Sequence, residues 1–197
     1  MTHKNGRNFK ISLNSPVVLG FAAICLLSLL LKLILPEHIY SSIFSVYRSR
    51  FSILWIIRLF MHVFGHSGWE HLLGNMMFFL ILGPMLEEKY GSGKLTMIIA
   101  VVAVVTGLFN LLFFPAYSTL GASGVVFALI LLSSITMRDT GTIPLTFLLV
   151  ALLYLGQQLL QIFQNDNISQ LSHIVGGLVG TVFGFLLNSR KAEERRI

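Results

Sequence analysis

Between Val17 and Leu187 the chain is a succession of apolar runs broken by short polar or turn-forming stretches, and this limits its fold more than any other feature. A bilayer core about 30 Å thick takes roughly 20 helical residues at 1.5 Å rise each. Six runs approach that length, at 17–35, 71–87, 95–114, 121–137, 143–163 and 171–187, with EEKYGSGK, PAYST, RDTGT and QNDNISQ separating the later ones. Composition agrees, since 55% of the residues are hydrophobic and 11% charged. A soluble domain carries about a quarter charged residues, and a globule of this size could not bury so much apolar surface. The expected fold is an all-α membrane protein, a six-transmembrane-helix bundle over residues 17–187, with tails at 1–16 and 188–197.

Six spans put both termini on one side of the membrane, and the basic residues say which. Lys4, Arg7 and Lys10 lead in, Arg190, Lys191, Arg195 and Arg196 follow, and Lys89, Lys94 and Arg138 join them; Arg48, Arg50 and Arg58 stand opposite. Lys and Arg collect in cytoplasmic segments, so the termini and the basic tail are expected to be cytoplasmic. Lys32 falls near the outer end of the first span, within reach of the headgroups. The basic start and apolar first run differ from a signal peptide in length and in lacking a small-residue cleavage site. The single cysteine, Cys25, excludes an internal disulfide and a multi-cysteine zinc site. Ile24 beside it is too bulky for a good acylation site. No basic face interleaved with stacking aromatics runs through the interior, which argues against a nucleic-acid partner. The connection at 36–70 is long, and within it 51–64 (FSILWIIRLFMHVF) is too short to span and too apolar to float. It reads as an interfacial or re-entrant segment, giving a long, partly helical interfacial first external loop. No internal repeat is evident, which weighs against an inverted-repeat transporter.

Polar side chains inside hydrocarbon are costly and mark function by default. HVFGHSGWEHLLGN carries His62, His66, His71 and Asn75, the last two being four apart and hence on one helical face. Zinc is disfavoured there because the HExxH pair is absent; His62 and His66 can equally cap and cross-link the loop. GASG sets Ser123 between Gly121 and Gly124, small residues that also serve close packing. SHIVGGLVGTVFG places His173 on the face of Gly176, Gly180 and Gly184, so it points toward a neighbouring helix. Gln157, Gln158 and Gln161 form a late polar run in the fifth span, where interhelical hydrogen bonding is the simpler reading.

Topology links these groups. The second, fourth and sixth spans run from outside to inside, and each carries its conspicuous residues in its first turns. His71, Asn75, Ser123 and His173 are therefore expected at similar depth in the outer leaflet. Packing does not require such a coincidence, but a site does. A serine hydroxyl becomes a nucleophile when a base takes its proton, and histidine has the pKa for that task. Attack on a peptide carbonyl creates an oxyanion, for which the Ser123 N–H, the Asn75 amide and a His71 nitrogen are candidate donors. No buried Asp or Glu is expected to accompany His173, so the expected arrangement is a Ser–His dyad.

With HVFGHSGWEHLLGN, GASG and SHIVGG in that order, and EEKYGSGK after the second span, the chain resembles the rhomboid intramembrane serine proteases of the minimal six-span type. The resemblance covers roughly 58–180. It implies hydrolysis of peptide bonds in the transmembrane segments of membrane proteins, with no metal or cofactor. It assigns Ser123 as nucleophile and His173 as general base, with Asn75, His71 and the Ser123 amide as oxyanion hole. Gly121 and Gly124 would allow close substrate approach, with Phe127, His62 and His66 supporting. The chain departs from the family pattern where Ile57 precedes Arg58 in place of a Trp-Arg pair, and where Phe127 replaces a tyrosine. The bare plan suggests a bacterial plasma membrane, a site opening to the extracytoplasmic side, and lateral substrate access beside the second and fifth spans. Two other classes remain for comparison. One is an inactive rhomboid-like protein that binds membrane clients, against which the retention of both Ser123 and His173 counts. The other is a small channel or transporter, which would spread its polar residues through the full thickness.

Overall fold

The computed structural model describes residues 13–136, 143, 145–162 and 167–194, without the side chains of 154–155, 157–169 and 188–194. The basic residues of both tails, Arg138, and the side chains of Gln157, Gln158 and Gln161 thus lie outside the described residues. Eight α-helices are described: α1 (Pro16–Ile34), α2 (Glu37–Phe44), α3 (Ile53–Met61), α4 (Trp69–Tyr90), α5 (Ser92–Phe113), α6 (Ser123–Thr136), α7 (Leu145–Ile162) and α8 (Asn167–Glu194). A 3-10 turn at His62–Phe64 extends α3. Among the described residues, each of the six apolar runs is helical over most of its length. Those at Pro16–Ile34, Ser92–Phe113 and Gln170–Leu187 are long and apolar enough to cross a membrane.

Large apolar side chains cover the outside: Leu27, Leu33, Leu73, Ile81, Leu112, Leu152 and Leu186 are all exposed. Surface of that kind, spread over helix after helix, suits lipid rather than water. Helix α6 lies at the centre, where Val125, Ala128, Leu129, Leu132 and Ile135 have no exposed surface. Around it pack α4, α5, α7 and α8, with α8 in the most extensive contact. The reason lies in the small residues that the sequence aligns on α8. A Cβ on Gly176 would collide with the Gly124 backbone, and one on Gly180 with the backbone of Ala128. The two helices therefore meet backbone to backbone, the geometry that small residues at spacing four permit.

The EEKYGSGK stretch is a break of one residue and not a polar loop. Helix α4 runs on through Tyr90, α5 starts at Ser92, and Gly91 between them has φ +84°. Polar residues continue a helix as readily as apolar ones, but the left-handed backbone of Gly91 cannot. At this junction the buried Glu87 carboxylate accepts from Val17 N and Val18 N (3.1 and 3.0 Å) and from Ser92 Oγ (2.7 Å). It thereby satisfies free donors at the start of α1 and fastens that helix to the α4–α5 joint.

The long first loop contains α2 and α3. Arg58 of α3 is buried, donates to the Ser42 carbonyl and Ser49 Oγ (both 2.8 Å), and lies 4.1 Å from the centre of the Tyr47 ring. Val46 and Thr119 exchange backbone hydrogen bonds at 2.9 and 3.0 Å, tying this loop to the segment that leads into α6.

Candidate active site

Ser123 is the first residue of α6, and the Ala122 carbonyl ahead of it accepts from Val126 N at 2.9 Å. An N–H at this helical position has no partner within the helix and sits at the positive end of its dipole. Gly121, two residues earlier, has φ +134°. A side chain there would be strained, and a Cβ would stand 2.8 Å from both Cε1 and Nε2 of His71 and 3.8 Å from Ser123 Oγ. The glycine thus opens a point from which both the serine hydroxyl and the His71 ring can be reached.

A cavity of about 210 Å³ lies at this point. His71, Gly121, Ser123, Gly124, His62 and His173 all line it, drawn from α4, α6 and the segment ahead of it, α8 and the 3-10 turn. Phe127, one turn into α6, stacks on the His173 ring at 4.5 Å between centroids and 5° between planes. The phenylalanine thus holds the imidazole from behind by its face. Ser123 opens its helix, whereas His173 lies almost two turns into α8, which begins at Asn167, ahead of the apolar run. In the sixth span the helix thus begins ahead of the apolar run, so hydropathy does not mark where this helix starts. The close α6–α8 packing brings Ser123 and His173 to the wall of the same cavity.

Asn75 is buried one turn beyond His71 and donates from Nδ2 to the His71 carbonyl at 2.9 Å. It is not among the residues that line the cavity, and its Nδ2 carries a second N–H. His71 Nδ1 accepts from Ser67 N at 3.4 Å and lies 3.1 Å from Ser67 Oγ. A ring nitrogen that accepts an N–H carries no proton of its own. With Nδ1 as acceptor, the neutral imidazole carries its hydrogen on Nε2, which with Cε1 faces Gly121.

His62 and His66 are buried and hold the surrounding backbone. The His62 ring donates to the Ala103 carbonyl at 3.0 Å, while its own carbonyl accepts from Gly121 N at 2.9 Å. It thus joins α5, the 3-10 turn and the approach to Ser123. His66 donates from Nδ1 to the Phe64 carbonyl at 3.1 Å and packs edge-on against His71 at 5.0 Å. Burial pushes His62 down to about 4, opposed in part by its bond to Ala103. His66 is likewise pushed down to about 4, by burial first and His71 second, against the bond to Phe64. Among the described residues no three histidine, cysteine or acidic side chains converge as metal ligands would.

The motifs did not single out Thr106, Asn110 and Ser172, which line the same cavity. Ser172 Oγ donates to Asn110 Oδ1 at 2.8 Å, both residues being buried. The signal was available: Thr106 and Asn110 are polar residues four apart in an apolar run, on one face of the helix.

Fold and site together define a helical integral membrane protein in which a serine and a histidine from separate helices line one cavity. Residues 54–190, more than half of the chain, match the family described as Rhomboid domain, and the chain belongs to the rhomboid family. Among its relatives, Rhomboid protease GlpG of Haemophilus influenzae is 28% identical over 188 residues, covering 91% of this chain and 94% of that protein. Rhomboid protease GlpG of Serratia proteamaculans is 28% identical over 201 residues, 98% of this chain and 72% of that protein. The protein of the same name in Salmonella paratyphi A is 31% identical over 142 residues, 68% of this chain and 50% of that protein.

Proposed function

We propose that the chain is an intramembrane serine endopeptidase that cleaves transmembrane segments of membrane proteins, with Ser123 as nucleophile and His173 as general base. The observation that carries this reading is the single cavity that receives Ser123 from α6, His173 from α8 and the His71 ring from α4. As Ser123 Oγ bonds to the scissile carbonyl carbon, its proton passes to His173. The oxyanion is held by the Ser123 N–H at the start of α6, His71 Nε2–H and the remaining Asn75 N–H. His173 returns the proton to the leaving amine as the C–N bond breaks. Water then attacks the acyl ester by the same route. His173 moves every proton in this sequence, so the chemistry calls for no metal or cofactor.

In the bilayer, α1, α4, α5, α6, α7 and α8 form six spans of a rhomboid-like domain at 17–187, and α2 and α3 lie at the outer interface. The excess of Lys and Arg at 1–16 and 188–197 supports cytoplasmic termini, in a bacterial plasma membrane. The cavity then opens to the extracytoplasmic side. Helix α6 begins at Ser123 and its neighbours surround it, and the cavity at that start is where water would reach the serine. The substrate is a transmembrane helix that partly unwinds beside α4 and α7.

A serine-directed fluorophosphonate tests the nucleophile. The parent should label, and Ser123→Ala should not. Equal labelling of both would remove Ser123 from the mechanism, while a parent that neither labels nor cleaves would favour the client-binding alternative.

A further inference from the structure

Lys32 is the one basic residue inside the first apolar run, and protein groups surround its ammonium. Cys25, Ser28 and Leu29 form the buried face of α1, and Lys32 continues that face one turn further on. Its Nζ donates to the Ser67 carbonyl at 3.2 Å, stands 3.7 Å from Glu37 Oε2 and lies 5.5 Å from the centre of the Tyr40 ring. The preceding residue is held from the same side: the Tyr40 hydroxyl accepts from His66 N at 2.9 Å and donates to the His66 carbonyl at 3.3 Å, with Ser28 Oγ 3.1 Å away. Residues 66 and 67 are thus clamped to α1 and α2.

Ser67 is also the residue whose N–H and hydroxyl meet His71 Nδ1. A continuous series of contacts therefore runs from Lys32 through Ser67 to the His71 ring, whose far nitrogen faces Gly121 and the cavity. We propose that Lys32 is a positioning residue for the oxyanion hole. It holds Ser67 where that residue orients the His71 ring with Nε2–H toward the cavity, and its charge favours the negative oxygen that forms there. This rests on the reading of Ser123 as nucleophile and His71 as oxyanion donor. A lysine acting through a donor contributes less than the donor itself, whose loss typically costs about 10² to 10³ in rate.

The test measures cleavage kinetics of a single transmembrane-helix substrate by the full chain in liposomes, with thermal unfolding of each variant followed in detergent. Lys32→Met should lower kcat about tenfold at a KM within about twofold of the parent and at unchanged Tm, and Lys32→Arg should restore most of the loss. In a His71→Ala background Lys32→Met should cost less than about twofold, because the lysine acts through that ring. If Lys32→Met does not accumulate, Lys32→Gln serves in both comparisons. The proposal is overturned if kcat is unchanged, if only KM or Tm moves, if arginine fails to rescue, or if the loss is equally large without His71. Ser123→Ala, run alongside, separates the two levels: cleavage by that variant would remove the underlying reading, whereas its silence beside an unaffected Lys32→Met would remove this inference alone.

Discussion

At the scale of single residues, the candidate site depends on side chains whose second polar atom is already committed. Asn75 spends one N–H on the His71 carbonyl and keeps another, so its contribution to the oxyanion is shared with His71 and the Ser123 amide. Asn75→Ala should lower kcat by about 10² or less while leaving KM near the parent value, measured on a transmembrane substrate. A collapse as deep as that of Ser123→Ala would mean that Asn75 does something other than donate. His62 and His66 give a pH dependence. Both are held near 4 in the folded protein, against an ordinary value of about 6.5 in the unfolded chain. Between these values the unfolded state binds protons that the folded state does not, so stability is full above about pH 6.5 and falls as the pH drops toward 4. The loss should be on the order of a few kcal/mol, and His62→Gln should flatten the profile over that window in unfolding measured against pH.

At the scale of elements, the α6–α8 contact sets the position of Ser123 relative to His173. Gly180 lies against the Ala128 backbone, and a side chain there would force the helices apart. Gly180→Leu should destabilise the protein by about 1–3 kcal/mol or more and depress cleavage, read together as Tm and kcat. Unchanged activity would mean that the two helices need not touch so closely. This contact was legible in the sequence because glycines at spacing four have few other uses in a membrane helix. The break at Gly91 was not, since EEKYGSGK looks like a loop when polarity is taken as the end of a helix. Helix α2 was also hidden, because EHIYSSIF has neither the length nor the hydropathy to stand out from the connection around it.

At the scale of the whole molecule, low charge made most of the fold legible, since each long apolar run needs a helix to satisfy its backbone in lipid. The candidate site was legible to the extent that polar residues inside such runs are few enough to be weighed singly: His71, Ser123 and His173 line one cavity, and Asn75 is not among its lining residues. Thr106, Asn110 and Ser172 passed unnoticed because each also has an ordinary packing use. The series from Lys32 through Ser67 to His71 depends on how the first loop folds back on α1, which no local pattern records. If substrates enter beside α7, a disulfide engineered between α7 and α4 should abolish cleavage of a transmembrane substrate, and reduction should restore it. Intact activity in the locked form would place the entrance elsewhere.

The most direct measurement compares the parent, Ser123→Ala and His173→Ala, each reconstituted in liposomes with a single-span substrate. The parent should cleave within or beside the span, and both variants should be silent while retaining the parent's fold by circular dichroism. Persistent cleavage in both variants would contradict the assignment of nucleophile and base.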